Sequence, residues 1–330
     1  MGSSWLQTCY CLLPTAYCQF LIAAYGVRPA GSDPTHGSPA ILITSALISG
    51  LCLGSMYGLI ALGFHVTYVV SNTVNFAQGS SVMLGAVLGY TFAVRLGLPL
   101  PLALLAALML CAAFGLLVER TLVRPFVARG SNAWLMATVA GGIVLDNAVL
   151  FLFGKEPRSF PAMLSSTPIN IFGTGVFPLQ LVIPVVGLGV AAALALLLRR
   201  TRHGKALLAV VQNPDAARLM GINVRAAIAA AFAASTALAG LAGLLIAPLF
   251  SVHSDMGTLF GIKAFAVAIL GGIGSAPGVM LAGLLYGVSE AMITALFGSS
   301  HTQIAMFTAV IAALALMPQG LLGRTAIKKV

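Results

Sequence analysis

The sequence predicts an all-α membrane protein, a polytopic bundle of about nine or ten spanning helices, some of them broken or re-entrant. Only 7% of the residues are charged, 59% are hydrophobic, and the mean hydropathy is +1.03. These values lie outside the range of soluble proteins. Long apolar runs recur along the 330 residues, and each crossing needs about 20 such residues. Residues 41–330 are therefore expected to form one transmembrane domain.

Residues 1–40 precede that domain. Residues 5–27 are apolar, but no Lys or Arg comes before Arg28, so they make a poor signal peptide. They form either an extra span or an N-terminal extension. Residues 28–39 contain three prolines and two glycines, a composition that predicts a loop.

Eight further apolar runs predict spans at residues 41–64, 75–94, 99–118, 134–153, 179–198, 226–249, 278–297 and 302–318. One shorter apolar stretch, residues 260–270, is left over. It is too short to cross a membrane alone.

The basic residues are concentrated between the spans. Of 17 Lys and Arg residues, three lie within 120–129, six within 199–225 and three within 324–329. Because cytoplasmic loops of membrane proteins are rich in Lys and Arg, these three segments are expected to be cytoplasmic. A net charge of +10 distributed in this way does not indicate nucleic-acid binding.

The same rule decides how residues 260–270 are interpreted. A cytoplasmic C-terminus requires an even number of crossings after residue 225, so this stretch is counted as a short crossing. It is expected to be half of a broken helix that continues through residues 271–278. The alternative is a re-entrant loop with the C-terminus on the outer side.

The stretch from residue 50 to residue 90 organises the chain. Gly50, Gly54 and Gly58 recur every four residues on one helical face, which allows another backbone to approach closely. The apolar run then breaks into a polar stretch, residues 71–81. Polar, irregular backbone survives at membrane depth only when it is buried in protein or lines a cavity. The break therefore points inward, toward a path or a site.

Within the break, Asn75, Gln78 and Gly79 are candidate substrate-pathway residues. Amide side chains both donate and accept hydrogen bonds, which suits a zwitterion or its water molecules. The alternative is that they cap and join two half-helices. Gly272 and Gly274 are further candidate substrate-pathway residues. They form either a moving hinge or a site of close helix packing.

Several charges lie near or within predicted spans. Asp146 is expected inside a helix, where a charge costs about 2.5–3.5 kcal/mol, so it needs water or a partner. It is a further candidate substrate-pathway residue, and the alternative is a structural pairing with Asn147 and a neighbouring helix. Glu290 has a similar place in its own helix. Lys263 and Asp255 are expected at the outer mouth, either as docking charges for a binding protein or as solvated loop charges.

Residues 199–225 predict a short helix at the cytoplasmic face, over residues 214–220. Asn213 suits the N-cap, Pro214 the first helical position, Asp215 the positive end of the helix and Gly221 the left-handed termination.

This helix is unusually apolar, with Ala216, Ala217, Leu219 and Met220. An exposed helix with an apolar face fits a groove on a partner protein. The alternative is that the helix packs back on the bundle as a connector.

Four separated motifs in the sequence resemble those of a known family. They are GSMYGLIALG followed by NFAQG, the loop RHGKALLAVVQNPDAARLMGIN, the run KAFAVAILGGIGSAPGVMLAGLLYGVSEA, and MPQGLLGR. In this order, over about residues 45–324, they resemble the permease subunits of bacterial branched-chain amino-acid ABC importers, of the LivH type.

The resemblance implies an inner-membrane permease that works with a LivM-like second permease, two ABC ATPase subunits and an external amino-acid-binding protein. It also implies that residues 199–225 are the coupling loop and that ATPase coupling falls to Asn213, Pro214, Asp215, Ala217, Leu219 and Gly221. Ser80 stands where the family commonly has an acidic residue, and Asp146 and Asn147 add unusual polarity. The exact substrate therefore stays open.

No enzyme or cofactor site is predicted. The GxxxxGK[ST] phosphate loop is absent, and the nearest stretch, residues 203–206, lacks both the upstream Gly and the final hydroxyl. The five cysteines have no metal-site spacing and are interpreted as free. The alternative function is a proton-coupled secondary transporter that uses Asp146 and Glu290.

Overall fold

The computed structural model describes residues 39–160, 169–171, 174–317 and 319–323. The predictions for residues 1–38 and the basic residues at 324–329 lie outside the described residues. The helices are α1 (Pro39–Ser71), α2 (Gln78–Tyr90), α3 (Leu100–Val118), α4 (Arg124–Val127), α5 (Trp134–Phe153), α6 (Pro178–Arg200), α7 (Arg202–Gln212), α8 (Pro214–Leu219), α9 (Val224–Ile246), α10 (Met256–Gly271), α11 (Ala276–Phe297) and α12 (Ser299–Leu316).

The predicted spans correspond to helices. Seven helices in the described part of the chain are long and apolar enough to cross a membrane, and α10 is a shorter apolar helix. A π-helical turn, Thr91–Arg95, extends α2 directly. With α2 and α10 counted as crossings, the described part holds nine, which agrees with the lower of the two predicted numbers.

The connection between α5 and α6 contains the part of the fold that the sequence did not predict. A two-stranded antiparallel hairpin pairs β1 (Ile169–Ile171) with β2 (Thr174–Val176). Nearby, the backbone of Arg158 pairs with that of Val252, so this connection is tied to the loop between α9 and α10.

Helix α1 lies at the centre of the bundle and packs against α6, α9, α10 and α11. Its glycine face contacts α11, as the four-residue spacing predicts. A Cβ atom at Gly54 would lie 2.7 Å from the carbonyl oxygen of Gly283. Only glycine permits this backbone contact, which brings the two helices into close van der Waals packing.

Helices α10 and α11 form an antiparallel hairpin. The chain reverses at Gly272, which has φ +82°, and Gly271 packs against Gly278 and Val279. The prediction that a broken helix continues through residues 271–278 is therefore wrong. The physical reason is the left-handed conformation of Gly272, which ends α10 at Gly271 and turns the chain back.

One end of the bundle gathers three parts of the chain. The C-terminal part of α1, with Val66 and Val70, packs against Ala217 of α8 and Val224 of α9. The Nδ1 atom of His65 lies 2.7 Å from the carbonyl oxygen of Ile273, in the α10–α11 turn.

The C-terminal segment joins this same end. The amide of Leu321 donates to the carbonyl of Leu270 (2.8 Å) at the end of α10. The α10–α11 turn, α8 and residues 319–323 consequently lie at the same end of the bundle, as the even number of crossings predicts.

The outer surface is strongly apolar. Large side chains on the peripheral helices are exposed, among them Phe151 (88%), Leu152 (85%) and Leu316 (82%). An exposed apolar surface of this extent is typical of proteins that contact lipid or partner subunits.

Candidate functional site

The polar break between α1 and α2 is buried in the bundle. Helix α1 ends at Ser71, Asn72 adopts a left-handed conformation (φ +53°), and α2 begins at Gln78. Asn75 and Gln78 are both 0% exposed. The break therefore points inward, as its polarity within an apolar sequence predicts.

Gln78 connects three helices through its amide. Its Nε2 donates to the carbonyl of Ser235 on α9 (3.0 Å), and its Oε1 accepts from the Ser235 hydroxyl (2.9 Å). The same hydroxyl lies 2.8 Å from the carbonyl of Gly63 on α1. Because both ends of the amide are occupied, this geometry matches the connector interpretation of Gln78.

Gly79 lies against α10. A Cβ atom at this position would come within 2.6 Å of the carbonyl oxygen of Gly257. The side chain of Asn75 behaves differently: its Oδ1 accepts from the amide of Ala77 (3.1 Å), whereas its buried Nδ2 has no partner among the described residues. Of the three break residues, Asn75 retains an unused donor.

Helix α5 brings Asp146 to the break. Gly142, one turn before it, packs against Ala77 and Ser80, and the Asp146 carboxylate faces the Ser80 side chain. The buried Oδ1 of Asp146 has no partner among the described residues. The expected pairing with Asn147 is wrong, because Asn147 is exposed and donates to the carbonyl of Ile143 in its own helix (2.8 Å).

Gly272 and Gly274 lie in the α10–α11 turn. A Cβ atom at Gly272 would lie 2.9 Å from Cα of Gly323, whereas one at Gly274 would have open space around it. Gly272 thus combines a left-handed turn with close packing against the C-terminal segment.

The structure also contains a largely buried ion pair that joins α10 to α11. Lys263 of α10 contacts Glu290 of α11, with Nζ 2.5 Å from Oε1, and the two side chains are 20% and 11% exposed. The hydroxyl of Tyr57 on α1 lies 3.4 Å from Lys263 Nζ.

The expectation that Lys263 is a docking or solvated loop charge is wrong. Helix α10 begins at Met256 and contains Lys263 in its second turn. Both charges were visible in the sequence as isolated ions in apolar surroundings. Their pairing was not, because the two residues lie 27 positions apart in different helices.

A cavity of about 250 Å³ opens beside this ion pair. Lys263 supplies its charged group, and Ser251 and His253 add polar groups. The apolar part of the wall consists of Tyr57, Phe250, Met256, Leu259 and Phe260. The rings of Phe250 and Phe260 meet edge to face, with centroids 5.8 Å apart.

Helix α8 has the predicted capping. Asn213 Oδ1 accepts from the amides of Asp215 and Ala216, both at 3.0 Å. Pro214 occupies the first turn and Gly221 takes the left-handed conformation at φ +81°. The helix spans Pro214–Leu219, one residue shorter than predicted.

The apolar residues of α8 divide between two faces. Ala217 is only 3% exposed and packs against Val66, Val70 and Val210, whereas Leu219 and Met220 are 90% and 82% exposed. The expectation that Ala217 contributes to the face offered to a partner is therefore wrong: its small side chain anchors α8 on the bundle.

Comparison with known proteins identifies the family. Residues 46–317 match the family described as "Branched-chain amino acid transport system / permease component". The chain belongs to this family. The matched range of the permease includes the polar break, the Lys263–Glu290 pair and helix α8.

Two relatives of the permease support this assignment. BraD of Pseudomonas aeruginosa, a high-affinity branched-chain amino acid transport system permease protein, is 36% identical over 86% of this chain and 97% of its own length. The corresponding protein LivH of Escherichia coli is 31% identical over 86% of this chain and 96% of its own length.

Among solved structures, PsaBC from Streptococcus pneumoniae in complex with Fab aligns with a TM-score of 0.48 and 14% identity, over 84% of this chain and 92% of that chain. At this TM-score the alignment does not establish a shared fold.

Family membership confirms the resemblance seen in the motifs. The protein is a multi-pass membrane permease and not an enzyme. The proton-coupled alternative loses its support, because Glu290 is not an isolated carboxylate but the partner of Lys263.

Proposed function

We propose that the protein is the LivH-type permease subunit of an ATP-driven ABC importer that moves branched-chain or related amino acids across the bacterial inner membrane. BraD and LivH, which align over nearly their whole lengths, are branched-chain amino acid transport permeases, and this supports the proposed substrate class. ATP hydrolysis takes place on separate ATPase chains.

Helix α8 is the observation that carries the proposal. Asn213 fixes its start, Ala217 fixes it to the bundle, and Leu219 and Met220 extend into the surroundings with 90% and 82% exposure. An anchored helix that presents two apolar side chains fits a hydrophobic groove on a partner. In this proposal the partner is the ATPase, and movement of α8 switches the side to which the permease opens.

The assembly contains three kinds of partner. A LivM-like permease packs against part of the apolar outer surface, two ATPases bind at the α8 end, and an amino-acid-binding protein docks at the opposite end. Because each peripheral helix exposes large apolar side chains, the surface supplies area for both the second permease and lipid.

The end that carries α8 is cytoplasmic in this proposal. Helices α6 to α9 bring a cluster of basic residues there, which fits the positive-inside rule: Arg199, Arg200, Arg202, Lys205, Arg218 and Arg225. The C-terminus is cytoplasmic too, because residues 319–323 join the same end.

The substrate path passes the α2–α5 contact, where Asn75 and Asp146 keep polar atoms without partners among the described residues. Gln78 and Gly79 hold α2 in place beside this path. Gly272 and Gly274 act as the turn about which α10 and α11 move.

The test is uptake by the complete importer in membrane vesicles. Uptake of labelled leucine should require ATP and survive a protonophore. Leu219→Arg should lower it by about tenfold or more, because a charge in the apolar contact with the ATPase is desolvated without a partner.

Leu219→Met is the matched control, since it keeps an apolar side chain of similar volume and should retain most of the uptake. Uptake that collapses with the proton gradient, or a Leu219→Arg variant that transports normally, contradicts the proposal.

A further inference from the structure

The cavity beside Tyr57 and Lys263 has the chemistry of an amino-acid site. Its volume of about 250 Å³ lies just below the range of about 300–1,000 Å³ that is typical of drug-sized ligands, as a smaller ligand requires. Lys263 supplies a cation, Ser251 and His253 supply polar groups, and the rest of the wall is aromatic and aliphatic. A carboxylate with an apolar side chain matches the cation and the apolar wall.

The ion pair keeps unused hydrogen-bonding capacity. An ammonium group has three N–H donors, and Lys263 directs one to Glu290 and one to Tyr57, which leaves the third for a ligand. On the other partner, Oε2 of Glu290 is buried without a hydrogen bond among the described residues, and so is the hydroxyl of Tyr286.

A purely structural role explains this arrangement poorly. A buried ion pair is weak evidence for stability, because the desolvation of two charges offsets their attraction. Ionisable groups within membrane-spanning helices mark substrate or ion pathways by default.

We propose that the cavity formed by α1, α10 and the α9–α10 loop is an intramembrane binding site for an apolar α-amino acid. Lys263 and Tyr57 bind the α-carboxylate, Glu290 orients Lys263, and Phe250, Met256 and Phe260 contact the side chain. This inference rests on the proposed function, because it names the substrate site of that importer.

The experiment uses the complete importer in proteoliposomes with a diazirine analogue of leucine. After illumination, mass spectrometry should find the label on residues 250–263, and excess leucine should suppress it. The amine that lacks the carboxylate, 3-methylbutylamine, should not compete. Lys263→Met should lower the labelling by about tenfold or more, the loss expected for one charge-assisted hydrogen bond, whereas Lys155→Met, at an exposed lysine, should label normally.

A charge exchange separates binding from structure. The double variant Lys263→Glu with Glu290→Lys keeps an ion pair between α10 and α11 but removes the cation from the cavity wall. It should keep native thermal stability and lose both labelling and uptake. If this variant transports leucine normally, the pair is structural and the site proposal is overturned.

The two proposals fail in different ways. ATP-dependent leucine uptake together with no competed label on residues 250–263 overturns the site and leaves the importer function intact. Absence of ATP-dependent uptake of any apolar amino acid overturns the function itself.

Discussion

Gln78 shows how a buried amide can stabilise an interrupted membrane helix. Its side chain is 0% exposed and both ends of the amide are hydrogen-bonded to Ser235 on α9. Gln78→Leu removes these bonds and leaves the Ser235 groups without them, so we expect it to destabilise the protein by about 1–3 kcal/mol. The measurement is the thermal unfolding temperature of the purified permease in detergent.

Gln212→Leu is the control for this substitution, because Gln212 is exposed at the end of α7 and its loss leaves no buried partner. It should unfold at nearly the wild-type temperature. Equal unfolding temperatures for Gln78→Leu and the wild type would show that the amide does not hold the three helices together.

Local pattern predicted some residues well and others poorly. Asn213 and Gly221 were identified correctly because capping depends on the residues next to them in the sequence. The sequence does not predict the burial of Ala217 or the ion pair of Lys263, because burial and ion pairing depend on which distant helices approach. A sequence pattern shows that a charge is isolated along the chain but not that Glu290 lies beside it in space.

At the scale of helices, close packing of α1 on α11 depends on glycine. A Cβ atom at Gly54 would lie 2.7 Å from the carbonyl oxygen of Gly283 and 2.8 Å from Cα of Leu284. Since both are backbone atoms, the helices must separate to admit a side chain. We expect Gly54→Ala to lower the thermal unfolding temperature by several degrees, the shift that about 1–3 kcal/mol of overpacking produces.

Gly189→Ala on α6 is the matched control, because nothing lies within 4 Å of a Cβ atom there. Alanine favours the helix over glycine by about 1 kcal/mol, so this variant should be as stable as the wild type or more so. If Gly54→Ala and Gly189→Ala change the unfolding temperature equally, helix propensity and not contact between backbones determines stability at these positions.

Most helices were predictable because twenty-residue apolar runs have one stable arrangement in a bilayer. Helix α5 begins and ends where the sequence predicts, at residues 134 and 153. Two features were not predictable. The strands of the β1–β2 hairpin are only three residues long, too short for a strand pattern to be recognised. The reversal at Gly272 depends on its φ of +82°, which glycine permits but does not require.

At the scale of the whole molecule, one continuous helix contacts both proposed sites. Tyr57 of α1 touches the Lys263 ion pair, and Val66, nine residues later, packs in the cluster that anchors α8. At 1.5 Å per residue this is a rise of about 14 Å. The proposed amino-acid site and the proposed ATPase contact are thus connected through a single rigid element, with no loop between them.

The proposed topology places α8 and the C-terminal segment on the same side of the membrane. Met220 and Gln319 are exposed at the end that holds α8 and the C-terminal segment, whereas Ser300 is exposed in the first turn of α12, at the opposite end. In a background without native cysteines, Met220→Cys and Gln319→Cys should react with a membrane-impermeant maleimide only when the cytoplasmic face is open. Ser300→Cys should react in intact spheroplasts, because its turn faces outward. Labelling of Gln319→Cys from the outside would place the C-terminus away from the ATPases and would invert the topology proposed for α10 to α12.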